Sequence, residues 1–513
     1  MPAGPSGYDP RKPSRRDFYR DGLKLAESGH YHAAIGSYEQ ALAQNPNDER
    51  VLFALAVAAD AIGAPQVAEN FYQRVLTVSP GRLEAVVNLA NLYRARGDFT
   101  AAKTLLNQTL GTISTSPELP LTLGSVLRES GHEDEAEIQY RAALAIRPHY
   151  TAALGNLADL LSEKGQNDEA LALYEKLLRA DPRNPQAHLN RGILHLSRGS
   201  LTEGWRDYAG RLKMAGRPIA DHNLRHWNGA PRPGRKLLVS AEQGVGDQIM
   251  FASVIPDLLT RTAEMGVILE CEPRLVPLFA RSFPTATVHG WDVETIGGKT
   301  LAHYGWLKEI GGADSFIEIG SLPEMFRPGL SDFSKAPGYL IPDPSEATFW
   351  QATLSSLPRP WIGLCWRSGK SGGHRNREYA PLEAWANFVR TLPGTPVVTQ
   401  YGTDAEEIAT LEQLSGRKLF LPADLDQKNE LDRTVAFLSC LDAVVSAPTA
   451  VSWQAAAVGV PVYKILYNYS WTSFGTDHEP FAPQAKCMRA DQIGDWAAIF
   501  AATTAELIKI RTD

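Results

Sequence analysis

The 513-residue sequence predicts a superhelical array of helix pairs followed by two Rossmann-like α/β units. Three observations predict it. Small residues recur every 34 positions at Ala34, Ala68, Ala102, Ala136, Ala170 and Gly204. The Pro/Gly-rich stretch Gly229–Gly234 then interrupts the helical pattern, and beyond it short apolar runs alternate with amphipathic stretches. A period of this length belongs to stacked helix pairs, and the alternation to helices covering a mostly parallel sheet.

The first 14 residues read as a flexible N-terminus: they carry Pro and Gly and open the basic cluster Arg11–Arg16, with no apolar stretch of the kind a secretion signal needs. Residues 15–214 read as about six repeats, starting near Arg15, Glu49, Leu83, Pro117, Thr151 and Pro185. Four places after each small residue comes a large one, Tyr38, Tyr72, Leu106, Tyr140, Tyr174 and Tyr208, and further on come Pro46, Pro80, Ser114, Pro148 and Pro182. The small residue lets two helices cross closely, the large one fills the groove against the next pair, and proline ends the second helix for want of an N–H. This is the tetratricopeptide pattern. At its sixth position stand Asn88, Asn156 and Asn190. An amide both donates and accepts, so such a row can clasp an acceptor peptide's backbone, or it can simply suit the repeat's own geometry.

Residues 215–234 read as a linker, and 235–340 as the first α/β domain, with strands at Lys236–Ser240, Val267–Glu270, Ala286–His289 and Ser315–Glu318 and a helix from Gly246 to about Thr260. The Pro- and Ser-rich segment 341–360 reads as a hinge. Residues 361–490 form the second α/β domain, with strands at Trp361–Trp366, Pro396–Gln400, Lys418–Leu421, Asp442–Ser446 and Pro461–Ile465, and 491–513 a closing helix. Two such domains make a cleft at the carboxyl ends of their strands, where open sheets bind ligands.

Composition excludes several classes. A net charge of −7, with 44% hydrophobic and 21% charged residues, fits a globular chain and argues against bulk nucleic-acid binding. No 18-residue apolar run offers a membrane span, so a cytoplasmic location is expected. Four scattered cysteines fit reduced structural thiols, not a metal site.

Three loops carry chemistry. Gly244, Gly246, Asp247 and Gln248 follow the first strand, where glycines allow close approach and a carboxylate stands at the cleft; Asp247 is equally placed to cap its helix. Arg367, Ser368, Lys370, Arg375 and Arg377 form a basic loop suited to phosphate oxygens. Thr449, Ser452 and Trp453 lie where a strand enters a helix, with Pro448 at the first helical position and an anion site at the helix start. The Asp424-Leu-Asp426 pair reads as capping rather than metal binding.

Tetratricopeptide repeats joined through Gly204-Trp-x-x-Tyr208 to Ala241-Glu-Gln-Gly-x-Gly-Asp247, then Arg375-Asn-Arg377 and Pro448-Thr-Ala450, resemble bacterial repeat-bearing glycosyltransferases. Their catalytic half is similar to heptosyltransferases and, more distantly, to protein O-linked N-acetylglucosamine transferases, whose repeats also carry an asparagine ladder. The resemblance implies a GT-B fold of two Rossmann-like domains, no required metal or other cofactor, an acceptor in the first domain and a nucleotide sugar in the second. It implies Asp247 as general base in an inverting transfer. Heptosyltransferase-like members carry Asp-Thr-x-x-x-His where this chain has Pro448-Thr-Ala-Val-Ser-Trp453, which argues against ADP-heptose. The layout is similar to flagellin glycosyltransferases, which implies flagellin as acceptor and a CMP-activated nonulosonic acid (pseudaminic or legionaminic) as donor, with UDP-N-acetylglucosamine the other candidate. Two alternatives stay open: a transferase acting on lipopolysaccharide or another glycan, and a non-catalytic repeat adaptor or chaperone.

Overall fold

A computed structural model of the chain describes residues 17–369, 378–403 and 405–510. It falls into two compact units, one ending at Pro182 and the other running from Arg183.

The first unit is built of paired helices, from Phe18–Glu27 and Tyr31–Gln44 to Thr151–Glu163 and Asn167–Ala180. Ala34, Ala68, Ala102, Ala136 and Ala170 are fully buried, and the large residues four places on are nearly so. The large ring packs inside its own pair: a Cβ added to Gly22 would stand 2.4 Å from the Tyr38 ring, and one added to Gly124 would stand 2.6 Å from Tyr140. The ring also meets the next pair: Tyr38 shares a buried cluster with Val51 and Leu55, Tyr72 shares one with Ala85 and Leu89, and the Tyr72 hydroxyl accepts a hydrogen bond from Asn88 of the following repeat at 3.2 Å. Each pair turns at a glycine with positive φ, at Gly29, Gly63, Gly97, Gly131 and Gly165, continued at Gly199 in the second unit. This second 34-residue series supplies the left-handed residue that ends a helix.

The last helix pair, Pro185–Ser197 and Leu201–Tyr208, lies in the second unit. Trp205 is 2% exposed, sits within 5.6–6.4 Å of the rings of Trp471, Phe474 and Phe481, and donates its indole N–H to the Arg327 carbonyl at 2.9 Å. The expected linker supplies two short edge strands, β1 (Ile219–Ala220) and β2 (Arg225–His226). The strands that follow are β3 (Lys236–Ser240), β4 (Gly266–Cys271), β5 (Thr287–Gly290), β6 (Val293–Ile296), β7 (Lys299–Ala302) and β8 (Ser315–Glu318). They make a five-stranded parallel sheet in the order β2-β8-β3-β4-β5 and a small sheet in the order β1-β7-β6. The predicted helix after Gly246 is two, Val245–Ala252 and Ile255–Arg261, broken ahead of Pro256.

Residues 341–360, expected as a hinge, hold the helix Pro344–Leu354, started by Asp343, whose Oδ1 accepts from the Ser345 and Glu346 amides at 2.9 and 3.0 Å. Its Trp350 is buried and meets Phe437 at 4.9 Å, which fixes the segment to the second domain. The second sheet, β9 (Trp361–Cys365), β10 (Thr395–Val398), β11 (Ala443–Ser446), β12 (Val462–Ile465), β13 (His478–Glu479) and β14 (Ala482–Met488), runs β10-β9-β11-β12-β14-β13, parallel except for the last pair. The predicted strand Lys418–Leu421 is reduced to one bridge between Val397 and Phe420. The closing helix, Trp496–Leu507, lies against Leu382–Thr391 through Trp385, Phe388 and Phe500.

Candidate functional site

In each main sheet the order reverses beside its first strand: β4 and β8 flank β3, and β10 and β11 flank β9. Ligands of open parallel sheets bind beyond the carboxyl ends at such switch points. A cavity of about 520 Å³ lies there, lined by the loops after β3, β9, β11 and β12.

From the first sheet come Gly244, Gly246 and Asp247. Asp247 is the third residue of Val245–Ala252, and its Oδ2 accepts the Gly244 N–H at 3.2 Å, so it caps the helix and also lines the cavity. Burial pushes its carboxyl above the usual aspartate range; the Gly244 amide and the Lys464 charge pull the other way. Gly246 serves close approach, since a Cβ there would stand 3.3 Å from the Ala450 Cα. Gln248 turns inward instead: it is fully buried and its Oε1 accepts the Glu272 amide at 2.8 Å. It positions the first sheet's loops and does not line the cavity.

From the second sheet come Ser368, Thr449 and Trp453. Thr449 precedes the helix Ala450–Ala457 as its cap residue, so Pro448 stands outside the helix and not at its first position. The Thr449 hydroxyl is turned toward Cys365 at 3.4 Å and Ser446 at 3.3 Å, and the Thr449 side chain does not cap the helix amides. Ser452 is buried and donates to the Thr449 carbonyl at 2.7 Å, which shapes the turn and keeps it out of the cavity. Arg367 is likewise claimed elsewhere. Its guanidinium forks onto Glu407 at 2.8 and 2.7 Å, and a further N–H goes to the Gly402 carbonyl at 3.1 Å. Lys370, Arg375 and Arg377 lie outside the described residues.

Sequence reasoning missed Lys464. This β12 lysine is 3% exposed, lines the cavity, pairs with Glu479 at 2.5 Å and holds its ammonium 4.6 Å above the Trp453 ring. A charge inside the buried strand Val462–Ile465 was the available signal, because such charges persist only when paired.

In the array, Asn88 donates to Tyr72, Asn156 donates to Ser125 Oγ at 3.3 Å, and the Asn190 side-chain oxygen accepts from Gln186 at 2.7 Å. All three amides take part in bonds within the repeats. Asp426 receives the amides of Lys428 and Asn429, both at 3.0 Å, as a turn cap. Among the described residues no group of three His, Cys, Asp or Glu side chains could hold a metal ion, and no helix is long and apolar enough to cross a membrane.

Tetratricopeptide-repeat family models match residues 19–82, 61–119 and 156–209. The chain is thus a tetratricopeptide-repeat protein that continues into parallel α/β sheets. Protein FlbA of Caulobacter vibrioides is 30% identical over 479 residues, spanning 92% of this chain and 80% of that protein. The chain belongs to the family of Protein FlbA. The human Protein O-mannosyl-transferase TMTC1 is 28% identical over 165 residues, 31% of this chain and 19% of that one. Among solved structures, a thermophilic tetratricopeptide-repeat protein of Thermus thermophilus is 26% identical and covers 36% of this chain and 100% of its own, with a TM-score of 0.31.

Proposed function

We propose that this chain is a protein O-glycosyltransferase of GT-B type. It moves a sugar from a nucleotide donor to a Ser or Thr hydroxyl of a polypeptide recruited by the repeats. The observation that carries the reading is the cavity itself, into which one sheet presents Asp247 and the other presents Thr449, Trp453 and Lys464.

The acceptor oxygen attacks the anomeric carbon as its proton passes to the Asp247 carboxylate, and the bond from that carbon to the phosphate oxygen breaks with its electron pair leaving on the phosphate. Burial makes Asp247 a stronger base than a solvated aspartate, while the nearby Lys464 charge favours the ionised form it needs. The amides at the start of Ala450–Ala457, which the Thr449 side chain leaves uncapped, and the Lys464 ammonium stabilise the departing negative charge. The acceptor we propose is flagellin and the donor a CMP-linked nonulosonic acid, on the strength of the layout described above. Kinship with an O-mannosyl-transferase over part of the chain supports the reaction class.

The test is sugar transfer to purified flagellin, followed by intact-protein mass spectrometry in the presence of a chelator. Transfer that persists in chelator and vanishes in Asp247→Asn supports the reading, and full activity of that variant removes Asp247 from the role. Glu407's capture of Arg367 takes one expected phosphate contact away and favours the adaptor alternative. Titration with CMP and UDP separates the two, since an adaptor binds neither.

A further inference from the structure

A second cavity, of about 450 Å³, lies over the carboxyl ends of β3 and β4 in the first sheet. Its volume falls within the range of ligand sites. Glu270, Tyr304, Trp291, Phe316, His222 and Gln243 line it.

Glu270 is 2% exposed, and both hydrogen bonds it accepts, from the Ala241 amide at 2.9 Å and the Tyr304 hydroxyl at 3.1 Å, fall on Oε2. Burial pushes its carboxyl up to about 7. With Oε2 already taking two donors, a proton on this group resides on Oε1. Burial also lowers the His222 pKa and so favours the uncharged ring, which stands 4.6 Å from Tyr304 and 4.5 Å from Phe316. The stronger charges around the cavity are matched, Arg211 with Glu242 at 2.7 Å and Arg217 with Glu318 at 2.9 Å. The lining thus combines the rings of Trp291, Tyr304 and Phe316 with polar groups that are already bonded to neighbours, and Glu270 shares its proton with solvent around pH 7.

One residue of backbone joins this cavity to the one at Asp247, because Gln243 lines the first and Gly244 lines the second. Gln243 holds a left-handed φ of 63°, a conformation that a non-glycine residue keeps only when its surroundings enforce it. Its Nε2 donates to the Tyr208 hydroxyl of the last repeat at 3.0 Å, which supplies that constraint.

We propose that the second cavity is a subsite for an uncharged, apolar side chain of the acceptor polypeptide, a neighbour of the Ser or Thr presented to Asp247. The proposal rests on the transferase reading above. A pyranose ring would need free partners for several hydroxyls, whereas Arg211, Glu242, Arg217 and Gln243 are already engaged, and an anionic side chain would lose its water beside Glu270 without gaining a counter-ion. An aliphatic or aromatic side chain needs neither.

The experiment uses the full chain and synthetic nonapeptides with a central Ser flanked by Val, Phe, Asp or Lys, titrated by calorimetry beside CMP and UDP. Apolar-flanked peptides are expected to bind about tenfold or more tighter than the Asp-flanked one, the scale of one fitted apolar group. Val293→Trp, at the cavity's half-open edge, and Ala302→Leu, on its wall, both fill the space. Either is expected to erase the preference and leave nucleotide affinity unchanged, with melting temperature used to select a folded variant. Equal affinity for all four peptides, or an unaltered preference in the folded filled variant, overturns the subsite. Loss of nucleotide binding in the unsubstituted protein strikes the transferase reading instead.

Discussion

The repeats and the cleft are built by opposite rules. In the array one packing solution recurs: a buried small residue, a large ring seated on Gly22 or Gly124, and a left-handed glycine at each turn. In the cleft nothing recurs. Asp247 comes from the first sheet, about 200 residues before Thr449 and Lys464 of the second, and each occurs once. Periodic residues here hold the fold, including Asn88 and Asn156, whose amides bond to Tyr72 and Ser125 within the array. The irregular residues are the ones left to face a cavity. The sixth repeat stands between these cases, periodic in sequence yet bound into the second unit through Trp205.

The largest expected effect sharpens this division. Asp247→Asn should lower transfer by about 10²–10⁴-fold, the usual worth of a positioned base. Asparagine's side-chain oxygen can still accept the Gly244 amide, so stability should change by less than about 1 kcal/mol in a urea titration. Because burial raises the Asp247 pKa, kcat/KM should fall as pH drops through a range above that of an ordinary aspartate. An unchanged rate with a large stability loss would move Asp247 to the array's kind of residue.

Lys464→Met tests whether a cleft residue also holds the fold. Glu479 is fully buried and would be left unpaired, a change that typically costs about 3–5 kcal/mol. The double variant Lys464→Met/Glu479→Gln should recover most of that in thermal melts, yet bind CMP and UDP more weakly than the unsubstituted protein. Glu270 contributes differently. Its pKa rises from 4.5 unfolded to about 7 folded, so the native state binds the extra proton, and the stabilisation it gives below pH 4.5 declines as pH rises to about 7. Glu270→Gln should remove that decline, on the order of 1–3 kcal/mol between pH 5 and 8.

How much was legible follows from distance along the chain. The repeats, β3 and β8, and the Gly244–Asp247 turn rest on local pattern, and the sequence showed them at or near their bounds. Arg367 looked like a phosphate ligand because Glu407, which holds it, is 40 residues away. Lys464 passed unnoticed because its partner Glu479 belongs to the two-residue strand β13, too short to leave a pattern. The segment 341–360 read as a hinge from its Pro and Ser content, while Asp343-Pro344-Ser345-Glu346 spelled a helix start.

Within the array, Gly124→Ala should cost about 1–3 kcal/mol, because its Cβ would stand 2.6 Å from the Tyr140 ring and the pair cannot part without losing its core. Calorimetry should place that loss in the transition of the first unit. Nucleotide binding by the second unit should not move; if it weakened, the two regions would not be energetically separable.

The smallest expected effect bears hardest on the comparison. Asn88→Ala and Asn156→Ala each remove one partly buried hydrogen bond, to the Tyr72 hydroxyl and to Ser125, worth about 0.5–1.5 kcal/mol. Tyr72 would lose the amide that offsets its burial, which already pushes its phenol up to about 12. If the asparagines serve only the array, the double variant should lose that stability and bind flagellin with unchanged affinity by surface plasmon resonance. If they clasp an acceptor as well, binding should fall by far more than stability. Periodic residues would then carry recognition too, through the amide atoms that the bonds to Tyr72 and Ser125 do not use.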